Sequence, residues 1–216
     1  MKNNHKWIYI VQILVAVTCL PFLMGQDQCK IDQTLNQMLL QKFTPAQGQS
    51  KIYVTHLTFM DADTKTCMAQ TEAAKLINKA VEEGMQLAKN TNANLEINHP
   101  GHQLPNTDAN VNKLVNIFWD VNLTKGEKIQ KIISEMMAPH KVDAIVTGQY
   151  LEKKGDIINV RPFVVSKSKK SIVSRNHIFD KAQFMCTDPQ NTSIKVLCPG
   201  AHEKIRDSVK ELLETL

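Results

Sequence analysis

Much of what marks an enzyme is missing from this chain. It has no Gly-x-Ser-x-Gly elbow, P-loop, HExxH pair or GxGxxG turn. The usual signatures of a hydrolase nucleophile, a phosphate cradle, a zinc protease and a dinucleotide site are therefore absent. No two cysteines stand at CxxC spacing, which removes the common zinc and dithiol frameworks. There is no arginine-rich helix and no aromatic ladder interleaved with lysines, so the formal net charge of +5 is not the footprint of a nucleic-acid partner. The seven histidines are scattered, one of them (His5) in the N-terminal segment.

What remains is an ordinary globular composition. The chain has 216 residues, 43% hydrophobic and 22% charged, enough for one domain with a good core. Its beginning is less ordinary. "MKNNHK" carries two lysines, and the uncharged run "WIYIVQILVAVTCLPFLM" follows. A basic n-region before an apolar h-region is the layout of a secretory signal, with cleavage after Gly25. A retained membrane anchor and lipidation at Cys19 in "AVTC" are the competing readings. Loss of residues 1–25 removes Lys2 and Lys6, so +5 becomes +3. Beyond the signal the expected organisation is an N-terminal extension, 26–50, and a single domain, 51–216.

Four cysteines follow the signal: Cys29, Cys67, Cys186 and Cys198. An even number in an oxidising compartment predicts two disulfides, with three possible pairings. Cys186–Cys198 is favoured because it closes the short polar loop "CTDPQNTSIKVLC". Cys29–Cys67 would then tie the N-terminal segment to the start of the first long helix. Buried thiols are the alternative.

The pattern along the domain alternates strands and helices. "KIYVTHLTF" (51–59) reads as a strand and "MDADTKTC" as a polar turn. Residues 69–90 place Ala73, Ile77, Ala80, Val81, Gly84 and Ala88 on one helical face. A short strand at 93–98 and a Pro/Gly loop at 99–106 come next. Residues 107–119 carry Val111, Leu114, Val115 and Phe118 at helical spacing, although "VNIFWDV" also fits a strand. Thr124 and Glu127 form a capping box ahead of a helix whose apolar stripe is Ile129, Ile132, Ile133, Met136 and Met137. "VDAIVTGQYL", "IINVRPFVV" and "SIVSRNHIF" read as three strands joined by the turns "EKKGD" and "SKSKK", with Pro162 requiring an edge or a bulge. A helix closes the chain after a break at Pro199–Gly200. The expected fold is α/β, a single mixed sheet of about four to five strands backed by helices, its C-terminal part an antiparallel meander.

Candidate chemistry is sparse. Asp61 and Asp63 would serve as an acid/base pair or as calcium ligands, but "DADTK" lacks a closing Glu and reads as a solvated turn. His99 and His102 are candidate metal ligands without a third partner nearby. His177 alternates with Arg175 on one strand and reads as polar sheet surface. No catalytic residue, bound metal or cofactor is called for. The remaining feature is a basic hairpin rim of Lys153, Lys154, Lys167, Lys169 and Lys170. It is suited to acidic proteins, anionic lipid or acidic polysaccharide, or else it keeps the sheet edges soluble.

The stretch "VDAIVTGQYLEKKGDIINVRPFVVSKSKKSIVSR" resembles the signature of the TolB N-terminal-like superfamily. The shared features are an Ala-Ile/Val-x-Gly strand, a Gly-Asp turn, a strand ending in two valines, and a Lys-Ser turn before the last strand. "KIYVTHLTFMDAD" and the helix at 69–90 resemble that family's opening, and the likeness spans roughly residues 51–180. Members include the periplasmic domain of the curli secretion channel, the Pel exopolysaccharide lipoprotein, lipoprotein activators of peptidoglycan synthases and flagellar-envelope accessory proteins. The resemblance implies an exported periplasmic or envelope-associated bacterial protein that assembles with protein partners and performs no catalysis. An exported small-ligand or metal-binding protein, even a hydrolase, is one alternative. A homo-oligomeric ring subunit of a secretion complex is another.

Overall fold

The computed structural model describes residues 50–68 and 71–216. The expected signal, almost all of the N-terminal extension and Cys29 lie outside the described residues. Ser50–Leu216 forms one compact unit.

A mixed β-sheet forms its middle. Strand β1 (Ile52–His56) pairs in parallel with β4 (Leu95–Ile97) on one side and with β5 (Ala144–Lys153) on the other. Strand β6 (Ile157–Ser166) runs antiparallel to β5 along its whole length. The outer margin beyond β6 is built from β7 (Ser171–Ser174) and β8 (His177–Asp180). The fold is thus α/β with an antiparallel meander at its C-terminal side, as the alternation predicts.

Helices cover both faces. Helix α1 (Glu72–Thr91) is capped by Thr71, whose side chain accepts the Ala74 N–H. It lies on one face beside the C-terminal helix α5 (Pro199–Glu214). Val54, Phe59, Ala144, Val146, Ile158, Val160 and Val164 from the sheet meet Ile77, Val81, Ile205 and Val209 there. Gly84 allows the close approach of the two helices. A Cβ at that position would lie 2.3 Å from the Arg206 carbonyl oxygen and 2.9 Å from Val209 Cβ. On the other face lie α2 (Asp108–Trp119) and α3 (Lys125–Ile132), the latter prolonged by a π-helical turn over Ile133–Met137. Leu114, Ile132, Met136 and Met137 pack there on Leu57, Met60, Ile145, Phe163 and Val165. The capping box is present: Thr124 Oγ1 accepts the Glu127 N–H while Glu127 accepts the Thr124 N–H, an arrangement that stabilises a helix start by about 1 kcal/mol.

Several local details differ from the sequence reading. The first strand does not run straight to Phe59. His56 pairs with Val146 and Met60 with Gln149, so residues 57–59 face only Thr147 and Gly148. This one-residue bulge reverses the inward alternation, which is why Leu57 and Met60 share a face while Phe59 joins the other. It also explains the glycine of "VTGQY": a Cβ on Gly148 would meet Phe59 Cε2 at 2.2 Å and the Arg161 carbonyl oxygen at 2.7 Å. The polar turn after the bulge is a small hairpin, β2 (Met60–Asp61) with β3 (Thr66–Cys67). Residues 107–119 are helical rather than extended.

Pro162 lies in an inner strand, not at an edge, and the outer strand accommodates it. Its carbonyl accepts the Arg175 N–H at 3.0 Å, so its own donorless nitrogen faces the same outer side. There the expected single strand 171–179 breaks into β7 and β8. The 186–198 loop is itself a hairpin, β9 (Met185–Thr187) with β10 (Lys195–Leu197), after the single-turn α4 (Lys181–Phe184). The pair forms a second, two-stranded sheet. Pro199 and Gly200 do not precede the last helix but open it, with proline at the position where its missing N–H costs nothing.

Candidate functional site

The two lysine turns do not make one rim. The turn 154–156 closes β5–β6 at the carboxyl end of β5, with Gly155 and Asp156 at positive φ. The turn 167–170 lies at the other end of β6, ten residues and about 30 Å away. Lys153 and Lys154 are thus separated from Lys167, Lys169 and Lys170. Within the second group Lys167 pairs with Asp143 at 3.6 Å and Lys169 donates to the Thr215 carbonyl. The expected single basic surface is divided by a full strand length.

His99 and His102 do converge, though on an aromatic ring. Tyr53 stacks on His102 with centroids 3.7 Å apart and meets His99 edge-on at 5.3 Å. His102 Nδ1 lies 3.2 Å from the Lys141 carbonyl oxygen. Among the described residues no group of three His, Cys, Asp or Glu side chains is placed to hold a metal ion. Asp61 and Asp63 are turn residues: Asp61 Oδ1 accepts the N–H groups of Asp63 and Thr64 at 2.8 and 2.9 Å. His177 is not merely sheet surface. Its Nε2 sits 2.6 Å from Ser208 Oγ on α5, and burial, then the Lys204 charge, holds its pKa below the usual histidine value.

Cys186 and Cys198 are joined, with an S–S distance of 2.00 Å, across the base of the β9–β10 hairpin. Cys67 lies half-buried in β3, its Sγ 3.7 Å from Asp108 Oδ1. Its expected partner is Cys29, and that pairing falls outside the described residues.

Two features escaped the sequence reading. The first is a buried polar cluster at the carboxyl end of β1. Thr55 Oγ1 donates to the Leu104 carbonyl oxygen. The Thr58 N–H donates to Asn106 Oδ1, and both Asn78 and Asn106 reach Thr58 Oγ1. His56, next in sequence to Thr55 but on the opposite face of β1, is buried, and among the described residues its Nε2 has no hydrogen-bond partner. Burial alone lowers its pKa to about 4, so the ring is neutral at neutral pH. The visible signal is a histidine two residues after Val54, on the same inward face of β1.

The second is a groove of about 250 Å³ on the α2–α3 face, lined by Phe118, Lys125, Lys128, Arg161, Ile172 and Ser174. Three cations and no carboxylate line it. Arg161 Nε and Nη2 both donate to Ser174 Oγ, at 3.1 and 3.0 Å, and Lys128 Nζ donates to the Phe118 carbonyl oxygen at 2.9 Å. Phe118 stacks on Phe163, 5.4 Å between centroids, and forms a fixed apolar wall. The nearest acid in sequence, Glu127, is taken up by the Thr124 cap. A larger groove of about 710 Å³ runs along α1 but is open and lined by both charge signs, Lys79 and Arg206 with Glu82 and Glu83. Glu83 is already paired with His202 at 3.2 Å, so that groove selects no ligand charge. The smaller one carries charge of a single sign.

No protein-family model matches the chain, and no curated protein matches it. Among solved structures the chain is similar to the 1.65 Å structure of the hypothetical protein CT253 from Chlamydia trachomatis, at 12% identity over 77% of this chain and 100% of that one, with a TM-score of 0.42.

Proposed function

We propose that this chain is an exported bacterial envelope accessory protein that acts by docking onto another protein, without catalysis. The observation that carries this reading is the Cys186–Cys198 disulfide. Disulfides of this structural kind persist in oxidising compartments. The uncharged run at 7–24, behind two lysines, supplies a route there. The TolB N-terminal-like resemblance supports the same assignment, because members of that family assemble envelope machinery through protein contacts. A sheet with helices on both faces, and a groove whose cations have no ion-pair partner among the described residues, suits a part that presents a shape to a partner.

The test is made in intact cells. Trapping thiols with a maleimide before and after reduction is expected to leave Cys186 and Cys198 unlabelled until the reductant is added. Fractionation is expected to place the chain outside the cytoplasm. Immediate labelling of both cysteines in a cytoplasmic pool overturns the proposal.

A further inference from the structure

We infer that the groove between α3 and the outer sheet is the docking point for a partner segment that carries a carboxylate beside aliphatic side chains. This rests on the docking reading and names the chemistry of its partner. Three observations select that occupant.

The first is charge. Lys125, Lys128 and Arg161 converge on one groove, and none of them is ion-paired among the described residues. With both Nε and Nη2 on Ser174, the guanidinium is held in one orientation and keeps Nη1 for an incoming oxygen. An arginine held this way loses little freedom on meeting a carboxylate. The second is size. A groove of about 250 Å³ lies below the range for a drug-sized ligand and fits a side chain.

The third is what lies beside it. Arg161, Asn159 and Ile157 point to the same face of β6, and the register places Ile178 of β8 opposite Asn159. Ile178 and Ile157 are exposed and add apolar surface to this face of the strands, Ile157 lying between Lys153 and Asp180. Their rows lie about 7 and 13 Å from Arg161. A bare anion has no use for those isoleucines. An extended segment with an acid at one position and aliphatic residues two and four places on would cover the arginine and both aliphatic rows at once.

Fluorescence anisotropy with the full chain and a labelled peptide, Glu-Ser-Leu-Ser-Leu-Gly, tests the inference. Binding is expected to weaken about tenfold with Arg161→Gln, the loss of one charge-assisted hydrogen bond. It should weaken by a smaller factor with Ile178→Ser, and fall steeply with salt. Lys79→Gln, on α1 at the opposite face of the sheet, should leave it unchanged. The same peptide with Gln in place of Glu should bind about tenfold more weakly, a comparison that leaves the protein's fold untouched. Four results each overturn the inference: no binding, equal binding by the Gln peptide, complete displacement by equimolar inorganic phosphate, or attachment to phosphatidylglycerol vesicles in place of the peptide. The compartment test above reads thiol state in cells, so failure there and failure here are separate outcomes.

Discussion

Ile157 and Ile158 are neighbours in β6, and Ile178 and Phe179 are neighbours in β8, yet their surroundings differ. Ile158 and Phe179 are 1% and 5% exposed, whereas Ile157 and Ile178 are 37% and 63% exposed. Strand alternation assigns each residue a face, but the helices decide whether that face is dry. On one side the sixteen residues of α5, about 24 Å of helix, run beside α1, and Phe184 of α4 fills the space under β8. On the other side α3 has eight residues, about 12 Å, before its π-helical turn, and the start of β6 is left uncovered. One face is a core; the other is half core and half surface. The cationic groove lies on this second face.

Mutations that separate stability from surface would sharpen this contrast. On the closed face, Ile205→Ala should cost about 4 kcal/mol in denaturant unfolding, through lost burial and an unfilled cavity. His56 makes the same face sensitive to acid. Its folded pKa is depressed, from 6.5 to about 4, so its contribution is fully present above pH 6.5. As pH falls, the unfolded chain takes up a proton that the folded chain refuses, and about 3 kcal/mol is lost by pH 4. His56→Leu should flatten the stability profile across that window; a profile unchanged by the substitution contradicts the assignment.

Removing the disulfide with Cys186→Ser and Cys198→Ser opens a loop of sequence separation 12 and should cost about 2–3 kcal/mol. Hydrogen exchange should then show β9 and β10 opening before the main sheet. Gly84→Ala places a methyl group against the α5 backbone and should lower stability by about 2 kcal/mol despite the better helix propensity. The smallest effect belongs to the open face. Ile178→Ser should change unfolding by less than about 0.5 kcal/mol. A loss as large as that of Ile205→Ala would mean that the two faces are not different after all.

The sequence made the larger elements legible because each carries its own period and its own ends. The stripe through Ala73, Ile77, Ala80, Val81, Gly84 and Ala88, the Thr124–Glu127 cap and the alternation of β6 are local signals, and the structure contains all three, except that Ala74 and not Ala73 is the buried alanine of the first helical turn. What the sequence reading missed depends on distant partners. The bulge at 57–59 exists only relative to β5. The break near Arg175 answers to Pro162, thirteen residues earlier. The groove escaped for the same reason, since α2, α3, β6 and β7 each give one or two residues to it. Lys125 and Lys128, one helical turn apart, and the exposed Arg161 in a largely apolar strand are the local hints. The expected lysine rim is divided for the opposite reason: its two turns are close in sequence but lie at opposite ends of β6.

Pro162 has a consequence for how these molecules meet one another. A long unbroken margin of β-structure invites a second chain to zip onto it. Here the outermost strand comes in two four-residue pieces, interrupted at Arg175 and Asn176. A neighbouring molecule would find only a few residues in step before the ladder stopped. One five-membered ring, buried a strand away, thereby leaves that border only short runs of ladder positions to offer a second chain.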